Sequence, residues 1–364
     1  MSLTEFLKNK TSLSGFKERI DPDVIGLDFE IMKQDHANGV QIADPCMIDE
    51  MSTNFAWMRG HQNCWTGFPN EGKTQFTLYM MTVKALKSNW KWAIWSPEMK
   101  GANFIDGKVV THYNSLAYDI MATITGKTPY KHIHEKYRLP LMTIDEIQEQ
   151  KEWIEKHFVF LDPKKKKVED IEVVLKRVYE REGYDGILID PYKNIEPEPN
   201  KRDDQHLSNV FSRFKDWAVE INASMNWIAH PKSGVSMTVK KGNEEVLVPC
   251  NQYMLSGGAA WNNSMDSVLS IQRPNILTDI SDNAVIFHNL KQRMQELTSD
   301  RGSVEGITFD VKTRRYHFNG HCPLGMSRLD NLPKVESLPS TGKELSSFEM
   351  HDMIEKVDNG NPPF

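Results

Sequence analysis

Gly67-Phe68-Pro69-Asn70-Glu71-Gly72-Lys73-Thr74 satisfies every fixed position of the pattern G-x-x-x-x-G-K-[ST]. A glycine turn of this kind aims successive backbone N–H groups into a concave nest, and the helix after it presents its positive end to the same point. The ligand that suits such a nest is a run of phosphates. Lys73 is expected to reach the β- and γ-phosphates of a nucleoside triphosphate, and the Thr74 hydroxyl to sit on magnesium. The flanks agree. Gln62-Asn63-Cys64-Trp65-Thr66 reads as a short strand, while Phe76, Tyr79, Met80, Val83 and Leu86 recur at helical spacing.

The 364 residues suffice for one large domain or two small ones. No apolar run reaches membrane-spanning length and the start carries no signal-peptide pattern. Cys46, Cys64, Cys250 and Cys322 are far apart and form no CxxC pair, which argues against a zinc ribbon and for a reducing compartment. A formal net charge of −6 provides no overall basic footprint, so any nucleic-acid contact must be made locally, by loops or a channel.

Upstream of the phosphate loop, short helices are expected at Thr4 to Lys10 and Asp28 to Asp35, within an arm or linker of residues 1–50. Downstream, Trp92-Ala93-Ile94-Trp95 reads as a strand beside the phosphate strand, which would place Glu98 in the crevice where such sheets bind ligands. There Glu98 either orients and deprotonates an attacking water or is a solvated loop residue. Residues 100–155 read as helical and polar. Gly126-Lys127-Thr128 is a decoy, because Met121 stands where the first glycine of the pattern belongs.

His157 to Leu161 is a further strand. Lys164 to Lys167, before a helix at Val168 to Arg181, is either a solvated turn or a nucleic-acid patch. The apolar run Gly186-Ile187-Leu188-Ile189 ends in Asp190, the carboxylate expected to hold magnesium opposite Thr74. A helix at Gln205 to Ile221 leads to the strand Met225 to Ala229. The histidine leaving that strand, His230, is either structural or a sensor of the γ-phosphate. Ser233 to Asn251 is a long polar insertion carrying Lys240 and Lys241; Lys232 stands just ahead of it. Strands at Val268 to Ile271 and Ala284 to Phe287 follow, then Lys291 and Arg293, then a closing hairpin over 306–318. The alternation predicts one α/β domain, residues 51–325, with a mostly parallel central sheet flanked by helices. From Asp330 on, seven acids face three lysines in a stretch rich in proline and serine, which reads as a mostly disordered acidic tail, placed at 326–364. Its terminal Phe364 is either a docking peptide or unused.

The order and spacing of six stretches carry a resemblance: the phosphate loop, Trp95-Ser96-Pro97-Glu98-Met99, Ile187-Leu188-Ile189-Asp190, His230-Pro231-Lys232, Ser256-Gly257-Gly258-Ala259 and Leu290-Lys291-Gln292-Arg293. Together they resemble the RecA-like motor domain of ring-shaped replicative DNA helicases, of the DnaB type and the phage and Twinkle-like primase-helicases. The likeness covers about residues 50–320. It implies a P-loop NTPase core using ATP or another NTP with Mg2+. Glu98 falls at the catalytic glutamate, Asp190 at the magnesium-linked aspartate and His230 at the γ-phosphate sensor. Lys291 and Arg293 match the basic pair inserted into the neighbouring subunit's site, with Arg293 as arginine finger. Ser233 to Asn251, with the glycine turn after it, matches the DNA-binding loop of the central channel, which implies DNA contacts by Lys240 and Lys241 within it and by Lys232 just ahead of it. The implied assembly is a homo-hexamer on single-stranded DNA, with the tail as a dock for a primase or a DNA polymerase. The family usually places a short glycine-containing turn closely after the finger; here Met294 to Asp300 intervenes, which makes Arg301 a rival. Two other activities share these features: a RecA/RadA-like recombinase ATPase, and a non-motor, ATP-gated module that recruits replication partners.

Overall fold

Apolar runs with no polar face, such as Trp92-Ala93-Ile94-Trp95 and Ile187-Leu188-Ile189, must be covered on both sides, and a parallel sheet between helical layers does this. The computed structural model describes residues 29–40, 42–199, 202–241 and 244–325; the helix expected at Thr4 to Lys10 and the acidic tail lie outside them. Its centre is one sheet of nine strands: β1 (Gln62–Thr66), β2 (Trp92–Trp95), β3 (Phe158–Phe160), β4 (Gly186–Ile189), β5 (Ser224–Ile228), β6 (Ser267–Gln272), β7 (Ala284–Gln292), β8 (Gly302–Asp310) and β9 (Arg315–Phe318). The strand order is β9-β8-β7-β6-β1-β5-β4-β2-β3. The six strands from β6 to β3 are parallel. β7, β8 and β9 continue the sheet antiparallel.

One face of the sheet is covered by the helix Lys73–Ser88. Its Phe76, Tyr79, Met80 and Val83 are fully buried against Trp65, Trp92, Phe287 and Tyr316, while Leu86 is exposed, so the apolar stripe ends a turn before the helix does. Phe76 stacks on Phe287 with ring centroids 5.8 Å apart. The helix Asp203–Glu220 covers the other face with Leu207, Val210, Phe211 and Phe214 against Trp227 and Trp261. Cys46, Ile48 and Met51 are buried in the first of these cores, and Asp44–Pro45 pairs antiparallel with Ala56–Trp57. The chain ahead of the phosphate strand is thus packed on the sheet from about Ala43.

Four expectations change. The strand leading to Glu98 is not beside the phosphate strand: β5 and β4 lie between β1 and β2. Residues 100–155 are not wholly helical, because Gly101–Ile105 and Lys108–His112 form an antiparallel hairpin before the helices Asn114–Thr125, Lys131–Tyr137 and Ile144–His157. Asp106 and Gly107 both have positive φ at its turn, the geometry that Asp-Gly favours in two-residue hairpins. The insertion after Ser233 is a second hairpin, Thr238–Lys241 with Glu244–Leu247. Finally, β7 runs on to Gln292, so Lys291 lies within the strand.

Candidate nucleotide site

The C-terminal ends of the parallel strands gather the site. After β1, Gly67 adopts φ 155°, and a Cβ there would lie 2.5 Å from the Ile271 carbonyl oxygen, so the chain can pass only as glycine. Asn70 and Gly72 are left-handed, and Gly72 caps the helix Lys73–Ser88 with no side-chain cap and no acid in the first turn. The first-turn N–H groups therefore have no side-chain acceptor, which is the state an anion-binding nest requires. Lys73 is buried, with Nζ donating to the Phe68 carbonyl at 2.8 Å across the loop. Burial pulls its ammonium below the usual lysine value, and the Glu71 carboxylate opposes that shift.

Glu71 braces the loop from inside. It is 1% exposed and accepts the Phe68 N–H and, at 3.3 Å, the Arg273 N–H at the end of β6. Burial raises its pKa to about 6. Arg273 also donates to the Asn70 carbonyl at 3.4 Å. Neither residue's bracing of the loop was foreseen, because the contact depends on β6 lying next to β1.

Asp190, leaving β4, is buried and accepts two hydroxyl hydrogen bonds on Oδ2, from Thr74 and from Ser96, each at 3.1 Å. Burial lifts its pKa to about 6 against the pull of those two bonds. The hard oxygens of Thr74, Ser96 and Asp190 are of the chemistry that suits a magnesium ion. Ser96 was legible only as part of the strand end before Glu98; its bond to Asp190 needs β2 and β4 to be neighbours. Glu98 is about half exposed and pairs with Lys193 at 3.1 Å, Lys193 coming from the loop after Asp190.

His230, leaving β5, lines a cleft of about 300 Å³ with Asn70, Gly72, Lys73, Thr74 and Gln75. Burial, with Lys73 and Lys193 nearby, lowers its pKa to about 4, so the imidazole is neutral at physiological pH and carries one N–H. On its other side His230 lines a second cleft of about 400 Å³ with Lys193 and Lys232. Lys232 and Lys240 are exposed; Lys241 is a strand residue of the second hairpin. The decoy Lys127 is spent on an ion pair with Glu146. Lys164 to Lys167 are all exposed.

The structure does not bring Lys291 and Arg293 to this site. Gln292 is in register with Ser267, and Ser267 with Asn63, at the end of β1 away from the loop. Three residue steps lead from Asn63 to Thr66, about 10 Å along the strand before the loop begins. There Lys291 Nζ donates to the carbonyls of Asn262 and, at 2.6 Å, Met265. The Arg293 guanidinium donates to the Asn263 carbonyl and to the Asp266 carboxylate at 3.3 Å. Arg301 is exposed just before β8.

No family model matches the chain. Over 213 residues, 57% of this chain, it is 24% identical to the Twinkle homolog protein, chloroplastic/mitochondrial, of Arabidopsis thaliana. The matched stretch is 27% of that protein, so the chain spans about a quarter of this relative's length. A solved ATPase domain superposes with a TM-score of 0.60 at 14% identity, over 79% of this chain and 95% of that domain. A DnaB-like replicative helicase, whose structure was described with its interactions with primase, superposes with a TM-score of 0.59 at 15% identity, over 81% of this chain and 67% of that one. The fold is the RecA-like fold of helicase ATPase domains.

Proposed function

We propose that this chain is the motor of a ring-shaped replicative DNA helicase, hydrolysing ATP or another NTP between subunits to move along single-stranded DNA. The observation that carries this reading is a division of the site. Lys73, Thr74, Asp190, Glu98 and His230 converge at one end of the sheet, while the cations Lys291 and Arg293 sit at the other end, beyond reach of the same chain's loop. A neighbouring copy stacked head to tail presents that second end to the first; such a heterologous contact generates a ring where its rotation closes and an open filament where it does not.

The residues then have the following roles. The loop amides and Lys73 bind the phosphates, Lys73 exchanging the Phe68 carbonyl for phosphate oxygens. Thr74 and Asp190 would hold magnesium, which would supply positive charge to offset that of the phosphates. Glu98, steadied by Lys193, orients the attacking water and takes its proton. His230 donates its N–H to the γ-phosphate and so registers its loss. Arg293 of the neighbour, rather than Arg301, stabilises the transition state, a contribution of roughly 10³–10⁵ in rate. Lys232, Lys240 and Lys241 meet the phosphate backbone of the strand, so binding weakens as salt rises. We assign the chain to the cytoplasm and a hexameric ring, with the tail recruiting a primase or DNA polymerase; among the described residues no helix is long and apolar enough to cross a membrane.

The test is ATPase rate with and without single-stranded DNA, beside unwinding of a forked duplex. Stimulation with unwinding is expected. Stimulation without unwinding selects the recombinase, and slow turnover indifferent to DNA selects the non-motor module.

A further inference from the structure

The second hairpin and the two cations are joined by a short, continuous set of contacts. After the hairpin strand Glu244–Leu247, Asn251 caps a turn at Gln252–Met254, its Oδ1 accepting the Tyr253 N–H at 3.0 Å. This turn also touches the segment after His230: the Lys232 N–H donates to the Met254 carbonyl at 2.9 Å. The helix Gly258–Ser264 lies directly on the turn. A Cβ on Gly258 would come within 2.8 Å of the Gln252 carbonyl oxygen, so no other residue allows this approach. One side-chain bond crosses the contact, Gln252 Nε2 to Asn262 Oδ1 at 3.2 Å. The carbonyls of Asn262 and Asn263 help hold Lys291 and Arg293, beside the Met265 carbonyl and the Asp266 carboxylate.

Gln252 is 9% exposed, and among the described residues its Oε1 has no hydrogen-bond partner. A buried amide left half satisfied costs stability, and its presence calls for an explanation other than packing. The helix it grips is seven residues long, about 10 Å, so a shift at the turn is passed to its far end with little room for bending.

We propose that Gln252 and Asn262 are positioning residues, and that their hydrogen bond is the link by which a DNA strand on the hairpin of one subunit sets Lys291 and Arg293 for hydrolysis in the next. The inference rests on the motor reading above. A strand on the hairpin moves the turn, the turn moves Asn262, and the carbonyls of Asn262 and Asn263 carry the two cations with them. A displacement of about 1 Å at an arginine finger is enough to change turnover roughly a hundredfold.

The experiment measures turnover against single-stranded DNA concentration for the full chain, for Gln252→Ala, for Asn262→Ala and for the double variant. Basal turnover and the DNA concentration giving half stimulation are expected to stay within about twofold of wild type. The stimulated kcat is expected to fall to near the basal value, equally in all three variants, because the pair acts as a unit. The swapped pair, Gln252→Asn with Asn262→Gln, is expected to recover stimulation. Full stimulation in Gln252→Ala overturns the proposal, as does a change confined to the half-stimulating DNA concentration, which would make Gln252 a DNA contact. Loss of basal turnover in step with stimulated turnover also overturns it, since the pair would then be merely structural. A wild-type chain that DNA does not stimulate overturns the motor reading and this proposal together; a stimulated wild type with unaffected variants overturns this proposal alone.

Discussion

Replacing Asp190 by asparagine is expected to stabilise the nucleotide-free protein while ending its turnover. Asp190 is 3% exposed, and its Oδ2 accepts hydrogen bonds from Thr74 and Ser96. Burial raises its pKa from the usual 3.8 to about 6. The folded chain thus keeps this proton to higher pH than the unfolded chain does. The associated stability is fully present below about pH 4 and is lost as the pH rises through about 6. A shift of about two units corresponds to roughly 3 kcal/mol at pH 8. Asparagine has the same shape, and its Oδ1 accepts the same two hydroxyl bonds without a charge to desolvate. Urea melts without magnesium or nucleotide are expected to show Asp190→Asn more stable by about 2–3 kcal/mol at pH 8 and indistinguishable from wild type near pH 4. The corresponding rise in Tm at pH 8 is on the order of 5–10 °C. A variant less stable than wild type at pH 8, or one whose advantage ignores pH, would refute the argument that this carboxylate is held against its preference for the sake of a cation.

Three further outcomes follow from the same geometry. Lys73→Ala and Glu98→Gln are both expected to abolish hydrolysis, yet only Lys73→Ala should weaken nucleotide binding, by titration with a fluorescent analogue; normal hydrolysis by Glu98→Gln removes it as the base, a role worth about 10²–10⁴ in rate. Glu71→Ala leaves the buried Phe68 N–H without its acceptor and is expected to cost about 1–3 kcal/mol in a chemical melt, whereas Glu71→Gln keeps an acceptor and costs less. Phe104 and Val109 face each other across the first hairpin and are 76% and 68% exposed, so Phe104→Ser and Val109→Thr are expected to change the stability of the isolated subunit by no more than about 0.5 kcal/mol.

Much of this was legible in the chain because the physics was local. The phosphate loop is a backbone requirement written in glycines, and Gly67 and Gly72 do adopt positive φ. Central strands announce themselves as short runs with no polar face, and β2 and β4 fall where those runs are, whereas β1, with Gln62, Asn63 and Thr66, is marked by the phosphate loop that follows it. The hairpin at 101–112 was hidden because Asn103, Phe104 and Ile105 keep no strict alternation; the Asp106-Gly107 turn was the available signal. Strand order was not written in any segment. That two strands stand between β1 and β2 depends on how the helices pack, and the bonds of Ser96 to Asp190 and of Arg273 to Glu71 depend on that order in turn. The placement of Lys291 and Arg293 at the far end of the sheet likewise needed the antiparallel register of β7 on β6.

The claim that one chain's site is finished by another's arginine is tested most directly by mixing two inactive variants. Arg293→Ala subunits retain an intact phosphate loop, and Lys73→Ala subunits retain an intact arginine. In an equal random mixture roughly a quarter of head-to-tail interfaces join the good half of each. ATPase activity is expected to reappear on mixing, at about that fraction of wild type, though each variant alone is inactive. Mixed assemblies of normal size with no recovered activity would contradict action across the interface and return Arg293 to a structural role beside Asp266.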